Sequence, residues 1–203
     1  SMRAEIVEGL KYILHHNTLR AIITFWGCIS IFMAPIIPVM TYYITVDRDL
    51  PASSLGLVIS AYGAGSLLGS VAAARFAKGR LGRMLLAGNV LLGGAVLANA
   101  FLVNMPLMLT GALFIGVADA IVLVAYMTLR ATLTPDELLG RVSSTARVVS
   151  FGVAALGMFV GGVLLDHVGG SATLVLMGAG VILMTPLFTF SRALRTARAG
   201  TPS

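Results

Sequence analysis

Charge is scarce in this chain, and cysteine is scarcer. Only 11% of its 203 residues are Asp, Glu, Lys or Arg, against about 25% in an ordinary soluble domain. That shortage argues against a soluble helical bundle, whose helices need polar outer faces. Cys28 is the only cysteine. No disulfide can form within the chain, and a lone thiol in an apolar run reads as inert packing. Histidine is confined to the adjacent His15 and His16 and to the distant His167, so no metal centre is expected. No Gly-x-x-x-x-Gly-Lys-Ser/Thr loop occurs, which argues against ATP as an energy source for this chain. No nucleophile–base constellation stands out, so the chain does not read as an enzyme, and no cofactor is expected.

What the chain has instead is apolar length. It is 58% hydrophobic, with a mean hydropathy of +0.96. Six apolar stretches, 21–45, 53–74, 84–103, 106–129, 142–165 and 171–190, are separated by short loops. Each is close to the ~20 residues that cross a ~30 Å hydrocarbon layer as a helix. The expected fold class is therefore an all-α membrane protein of six transmembrane helices. Residues 1–20 form a cytoplasmic amphipathic lead-in, 21–190 the bundle, and 191–203 a basic tail. In the lead-in, Ile6, Leu10, Ile13 and Leu14 recur at helical spacing between Glu5, Glu8 and Lys11, as in an interfacial helix.

A sequence pI near 10.1 would suit a nucleic-acid partner, but the cations are sorted by loop. Arg48 alone lies in an odd-numbered loop; the other thirteen Lys and Arg flank the even side. The positive-inside rule then puts both termini in the cytoplasm. The net charge of +6 becomes a topology signal and an affinity for anionic lipid, with no nucleic acid expected. The charged, amphipathic start carries no cleavable signal pattern, and Ser1-Met2 reads as a remnant of tag removal ahead of an internal start point.

Pro35 and Pro38 interrupt the first stretch, each removing a backbone donor. Tyr42 and Tyr43 are expected at the outer headgroup level; Trp26 lies deeper at the inner end. Stretch two carries Gly65-xxx-Gly69 and stretch five Gly157-xxx-Gly161, spacings that allow close helix crossings. The segments around them, Gly65-Ser-Leu-Leu-Gly69-Ser-Val and Gly157-Met-Phe-Val-Gly161-Gly-Val, are alike and 92 residues apart. The chain therefore reads as two three-helix repeats, about 21–103 and 106–190. Three is odd, so the second repeat is inverted, as in many secondary transporters.

Two loops carry a family resemblance. Gly69-Ser-Val-Ala-Ala-Ala-Arg75-Phe-Ala-Lys78-Gly79-Arg80-Leu81-Gly82-Arg83 resembles the loop between the second and third spans, repeated between the eighth and ninth, of the major facilitator superfamily. Arg80, Gly82 and Arg83 match; Gly79 stands where that family usually has aspartate. Pro135-Asp-Glu137-Leu-Leu-Gly140-Arg141 resembles the family's Pro-Glu-x-x-x-Gly-Arg stretch before its eleventh span. Over essentially its whole length the chain is similar to the C-terminal six-helix half of such a transporter, nearest in appearance to bacterial drug or siderophore efflux members. The resemblance implies a bacterial inner-membrane protein that works with a missing N-terminal half or a second copy of itself. The loop residues Arg80, Gly82, Arg83, Pro135, Glu137, Gly140 and Arg141, with Arg147 just inside stretch five, are then expected at the cytoplasmic gate.

Asp119 is the sharpest candidate for function. It lies thirteen residues after Pro106 and eleven before Arg130, near the middle of stretch four. A carboxylate there costs ~2.5–3.5 kcal/mol unless it faces a wet cavity, pairs or binds a proton. Tyr62 and Tyr126 are expected to line a cavity with it. Arg147 either snorkels to the interface or pairs with an acid. Gly65, Gly69, Gly157 and Gly161 are expected in packing, and Asn89 and Asn99 to bond locally or at the interface. The reading is half of a secondary transporter that exports small amphipathic compounds by proton antiport through alternating access. The alternatives are a metabolite facilitator or importer, or a non-transporting scaffold that dimerises.

Overall fold

The computed structural model describes residues 2–76 and 81–189, and the side chains of 9–75 and 81–188. Arg80 and the basic tail 191–203 lie outside the described residues. Among the described residues seven α-helices follow one another: α1 Met2–His15, α2 Asn17–Met33, α3 Ile36–Tyr42, α4 Ser53–Phe76, α5 Leu81–Asn99, α6 Met105–Thr132 and α7 Asp136–Thr189. A five-residue π-helical turn, Tyr43–Asp47, continues α3. Among the described residues no strand occurs.

Local chemistry sets the boundaries. The His16 ring nitrogen accepts the Leu19 N–H at 3.2 Å and starts α2, a side-chain cap on one of the orphan donors of a first turn. Pro35 stops α2 one residue past Ala34. Pro38 sits in the first turn of α3, where its missing donor is harmless. Pro106 does the same for α6.

The 54 residues of α7 would run about 80 Å if straight, far beyond one hydrocarbon layer. They do not run straight. Gly169 adopts φ 79° and ψ 176°, a conformation open to glycine and strained for any side chain. It divides α7 into a first arm, 136–168, and a second arm, 170–189. The break falls between the fifth and sixth expected stretches. Among the described residues five helical segments, two of them α2–α3 with the π turn and α7, are long and apolar enough to cross a membrane.

The outer surface agrees with a lipid solvent. Leu67 is 73% exposed and Phe159 72% exposed, a cost in water that vanishes in hydrocarbon. Inside, α4 packs on α6, α5 on α6 and α7, and α2 on α7. Small residues bring these backbones together. A methyl group on Gly65 or Gly69 would strike the backbone of Leu113 or Val117 in α6. One on Gly157 would strike Ile31 of α2, and one on Gly161 the ring of Pro35. Gly93 of α5 and Gly178 of α7's second arm meet in the same way.

The end of the bundle away from α1 is tied by the π turn. Tyr43, expected at the headgroup level, is instead fully buried. Its hydroxyl donates to the Leu102 carbonyl at 2.8 Å, with those of Asn99 and Ala100 at 3.1 and 3.2 Å. The Arg48 guanidinium donates to the Tyr43 oxygen at 2.8 Å. Asp47 accepts the Ser171 N–H at 2.6 Å and its hydroxyl at 3.1 Å. One turn thus supplies a cation to the carbonyl end of α5 and an anion to the amide end of α7's second arm, the favourable sign at each helix terminus. Asn89 of α5 is buried and reaches across to α7, donating to the Val181 carbonyl and the Thr185 hydroxyl, each at 2.8 Å.

At the other end, α1 lies against the start of α7. Ile13 packs with Leu19, Ile23, Val142 and Ala146. Tyr12 donates to the Leu133 carbonyl at 3.3 Å, in the loop between α6 and α7.

Candidate functional site

The site is built on α6. At 100° per residue, positions 7 and 11 past Asp119 return to within about 20° of its face. Asp119, Tyr126 and Arg130 therefore share one stripe. Ala112 and Ile115 extend it towards the far end of the bundle.

At that far end the stripe borders a cavity of about 170 Å³ between α3, α4 and α6. Its walls include Ile36 and Met40 of α3, Val58 and Tyr62 of α4, and Ala112 and Ile115 of α6. The lining is aliphatic except for one phenol. That phenol donates to Asp119 Oδ2 at 2.7 Å, so Tyr62 joins the cavity to the acid. The register depends on close approach of the two helices: a methyl on Gly116 would strike the Tyr62 backbone carbonyl. Ser66, one turn along α4, donates to the Gly116 carbonyl at 3.4 Å. Asp119 is half-buried and meets no cation among the described residues. Its position lets it hold a proton or a substrate cation, because a bare carboxylate in that surrounding is costly.

Tyr126 belongs to a different group. It is 1% exposed and stacks on Trp26 of α2, with ring centroids 4.4 Å apart and planes within 9°. Arg130 lies against the same ring at 5.2 Å and donates to its hydroxyl at 3.3 Å. Sequence reasoning missed this trio. Its signal was the i, i+4 spacing of Tyr126 and Arg130; Trp26 is a hundred residues away.

The remaining expected residues separate. Gly82 is buried and Arg83 exposed in the first turn of α5. Pro135 precedes α7, Glu137 is exposed in its first turn, and Gly140 faces open space. Arg141 is half-buried, and its carbonyl accepts the Thr145 hydroxyl at 2.9 Å. Arg147 is exposed on the first arm. None of these joins Asp119 among the described residues. The four packing glycines stand at the crossings given above.

Helices with lipid-facing surfaces, a half-buried acid and an apolar cavity define a multi-pass membrane protein of the transporter kind. The profile of the Major Facilitator Superfamily matches residues 5–203, and the chain belongs to that family. It is 28% identical over 193 residues to the multidrug efflux pump Tap of Mycolicibacterium fortuitum. The match covers 95% of this chain and 47% of Tap, so the chain spans about half the length of that curated relative.

Proposed function

We propose that this chain is the C-terminal six-helix half of a secondary transporter that exports small amphipathic compounds by proton antiport. The observation that carries the proposal is Asp119, held by Tyr62 beside an apolar cavity near the middle of α6. The aliphatic wall gives a drug-like molecule its desolvation energy. The carboxylate supplies a group that can exchange a proton for a cation. The name of the related pump Tap supports export of drugs.

In this reading Asp119 takes up a proton when the cavity opens outward, and releases it inward when substrate enters. The six-helix bundle rocks against its partner, the missing N-terminal half or a second copy, so that the cavity faces each side in turn. Small amphipathic substrate, protons and lipid are the other partners. The α1 end, where the cations cluster, is cytoplasmic, and the membrane is the bacterial inner membrane.

In this reading the two arms of α7 count as separate spans, giving six spans in two inverted repeats. Matching spans one to three with four to six pairs α2–α3 with α6, α4 with the first arm, and α5 with the second. The glycine contacts support that pairing. Span two meets span four at Gly65 and Gly69, and span five meets span one at Gly157 and Gly161. Spans three and six meet each other at Gly93 and Gly178, as the symmetry requires.

The test is transport of a fluorescent amphipathic cation such as ethidium in proteoliposomes, with the chain joined to its complementary half. An imposed proton gradient should drive uptake into inverted vesicles, and a protonophore should abolish it. Uptake that ignores the gradient would contradict antiport.

A further inference from the structure

Arg130 is unusual for a cation on an apolar helix. It is half-buried, and it meets no acid among the described residues. Its guanidinium bonds only weak, neutral acceptors: the Tyr126 phenol oxygen at 3.3 Å and the Met127 sulfur at 3.3 Å. The oxygen distance is long for a charged donor, which reaches oxyanions at about 2.7–2.9 Å, and a thioether sulfur is a weak acceptor at any distance. A fork of five N–H donors is therefore only loosely engaged.

Around it the surroundings are fixed. Tyr126 is in contact with both Trp26 and the cation. The α6 chain end is tied by Thr134, whose hydroxyl donates to the Arg130 carbonyl at 2.8 Å. The one acid of its own helix, Asp119, lies eleven residues back, out of its reach.

From this geometry we infer an oxyanion-binding station formed by Trp26, Tyr126 and Arg130 at the α1 end of the α6 stripe. Its ligand is a phosphate or carboxylate group that accepts from the guanidinium, while any attached apolar body lies against Trp26, the half-buried member of the stack. Two sources share that chemistry: the phosphate of an anionic phospholipid in the cytoplasmic leaflet, and a free anion arriving from the cytoplasm. The station rests on the membrane reading but not on a proton-coupling role for Asp119, which lies about 16 Å along the helix.

The chain carries its own reporter, because Trp26 is the only tryptophan. Its emission is followed for the protein in phosphatidylcholine nanodiscs. One arm replaces phosphatidylcholine stepwise with phosphatidylglycerol. The other adds inorganic phosphate, with chloride at matched ionic strength as the screening control. The inference expects a saturable change in Trp26 emission in at least one arm. It should weaken about tenfold or more in R130Q and persist in D119N and, reduced, in R130K. A lipid-only response assigns the headgroup; a phosphate response assigns the free anion. Absence of a saturable change in both arms, or an equal change in R130Q, overturns the station. Should R130Q fail to fold, the wild-type titrations and R130K still decide.

Discussion

Two charged residues share one face of α6, and each is bonded to a tyrosine, yet they are held quite differently. Tyr62 donates to Asp119 at 2.7 Å across a helix–helix contact so close that Gly116 can carry no side chain. Arg130 reaches Tyr126 at 3.3 Å within its own helix, one turn away. The difference follows from depth. Near the middle of a span no headgroup can stand in for a lost partner, so the carboxyl needs a built one. Near the end, a long side chain can find its partners at the interface, and the protein spends packing on the ring instead. The firmly held group suits gated proton or cation exchange; the loosely held one suits a ligand that comes and goes.

That contrast can be broken from either side. The largest effect is expected from G116V. Its side chain would drive α4 off α6, separating Tyr62 from Asp119 and costing about 3 kcal/mol or more. A fall of the thermal midpoint in detergent, with loss of transport, checks it. W26A comes next, removing one face of the Tyr126 stack for about 2 kcal/mol. It should leave the Asp119 site working, which a proton-flux assay reads separately from the melt. Y62F deletes one hydroxyl at nearly constant volume. It should cost about 1–2 kcal/mol, as expected for a hydrogen bond to an ionisable acid, and should slow cation transport more than it lowers stability. R130Q is the mildest, within about 1 kcal/mol on the melt, because its present bonds go to weak, neutral acceptors. If R130Q destabilised more than Y62F, the contrast between the two charges would be reversed.

Much of this was legible from residues alone. The apolar stretches announced membrane helices, and Asp119 stood out because a carboxyl is expensive at that depth. The glycine spacings marked close crossings without naming their partners, which are Leu113 and Val117 for one pair and Ile31 and Pro35 for the other. The sequence put Tyr126 in the same stretch as Asp119, and so in the same expected cavity. It cannot show what crosses from another helix, and Trp26 claimed that ring. Tyr43 misled for a related reason. A tyrosine near a span end suits the headgroups, but the unpaired carbonyls at the end of α5 needed a donor, and the π turn swung this ring inward to supply one. Asp47 carried no signal at all, since its partner Ser171 lies 124 residues away.

The central claim is that Asp119 exchanges the proton that drives export. It is tested most directly by substrate-induced proton flux in proteoliposomes, comparing wild type with D119N after joining each to the complementary half. The account predicts proton release on substrate addition for wild type and none for D119N, with similar melting curves. Equal proton flux in a folded D119N would contradict it.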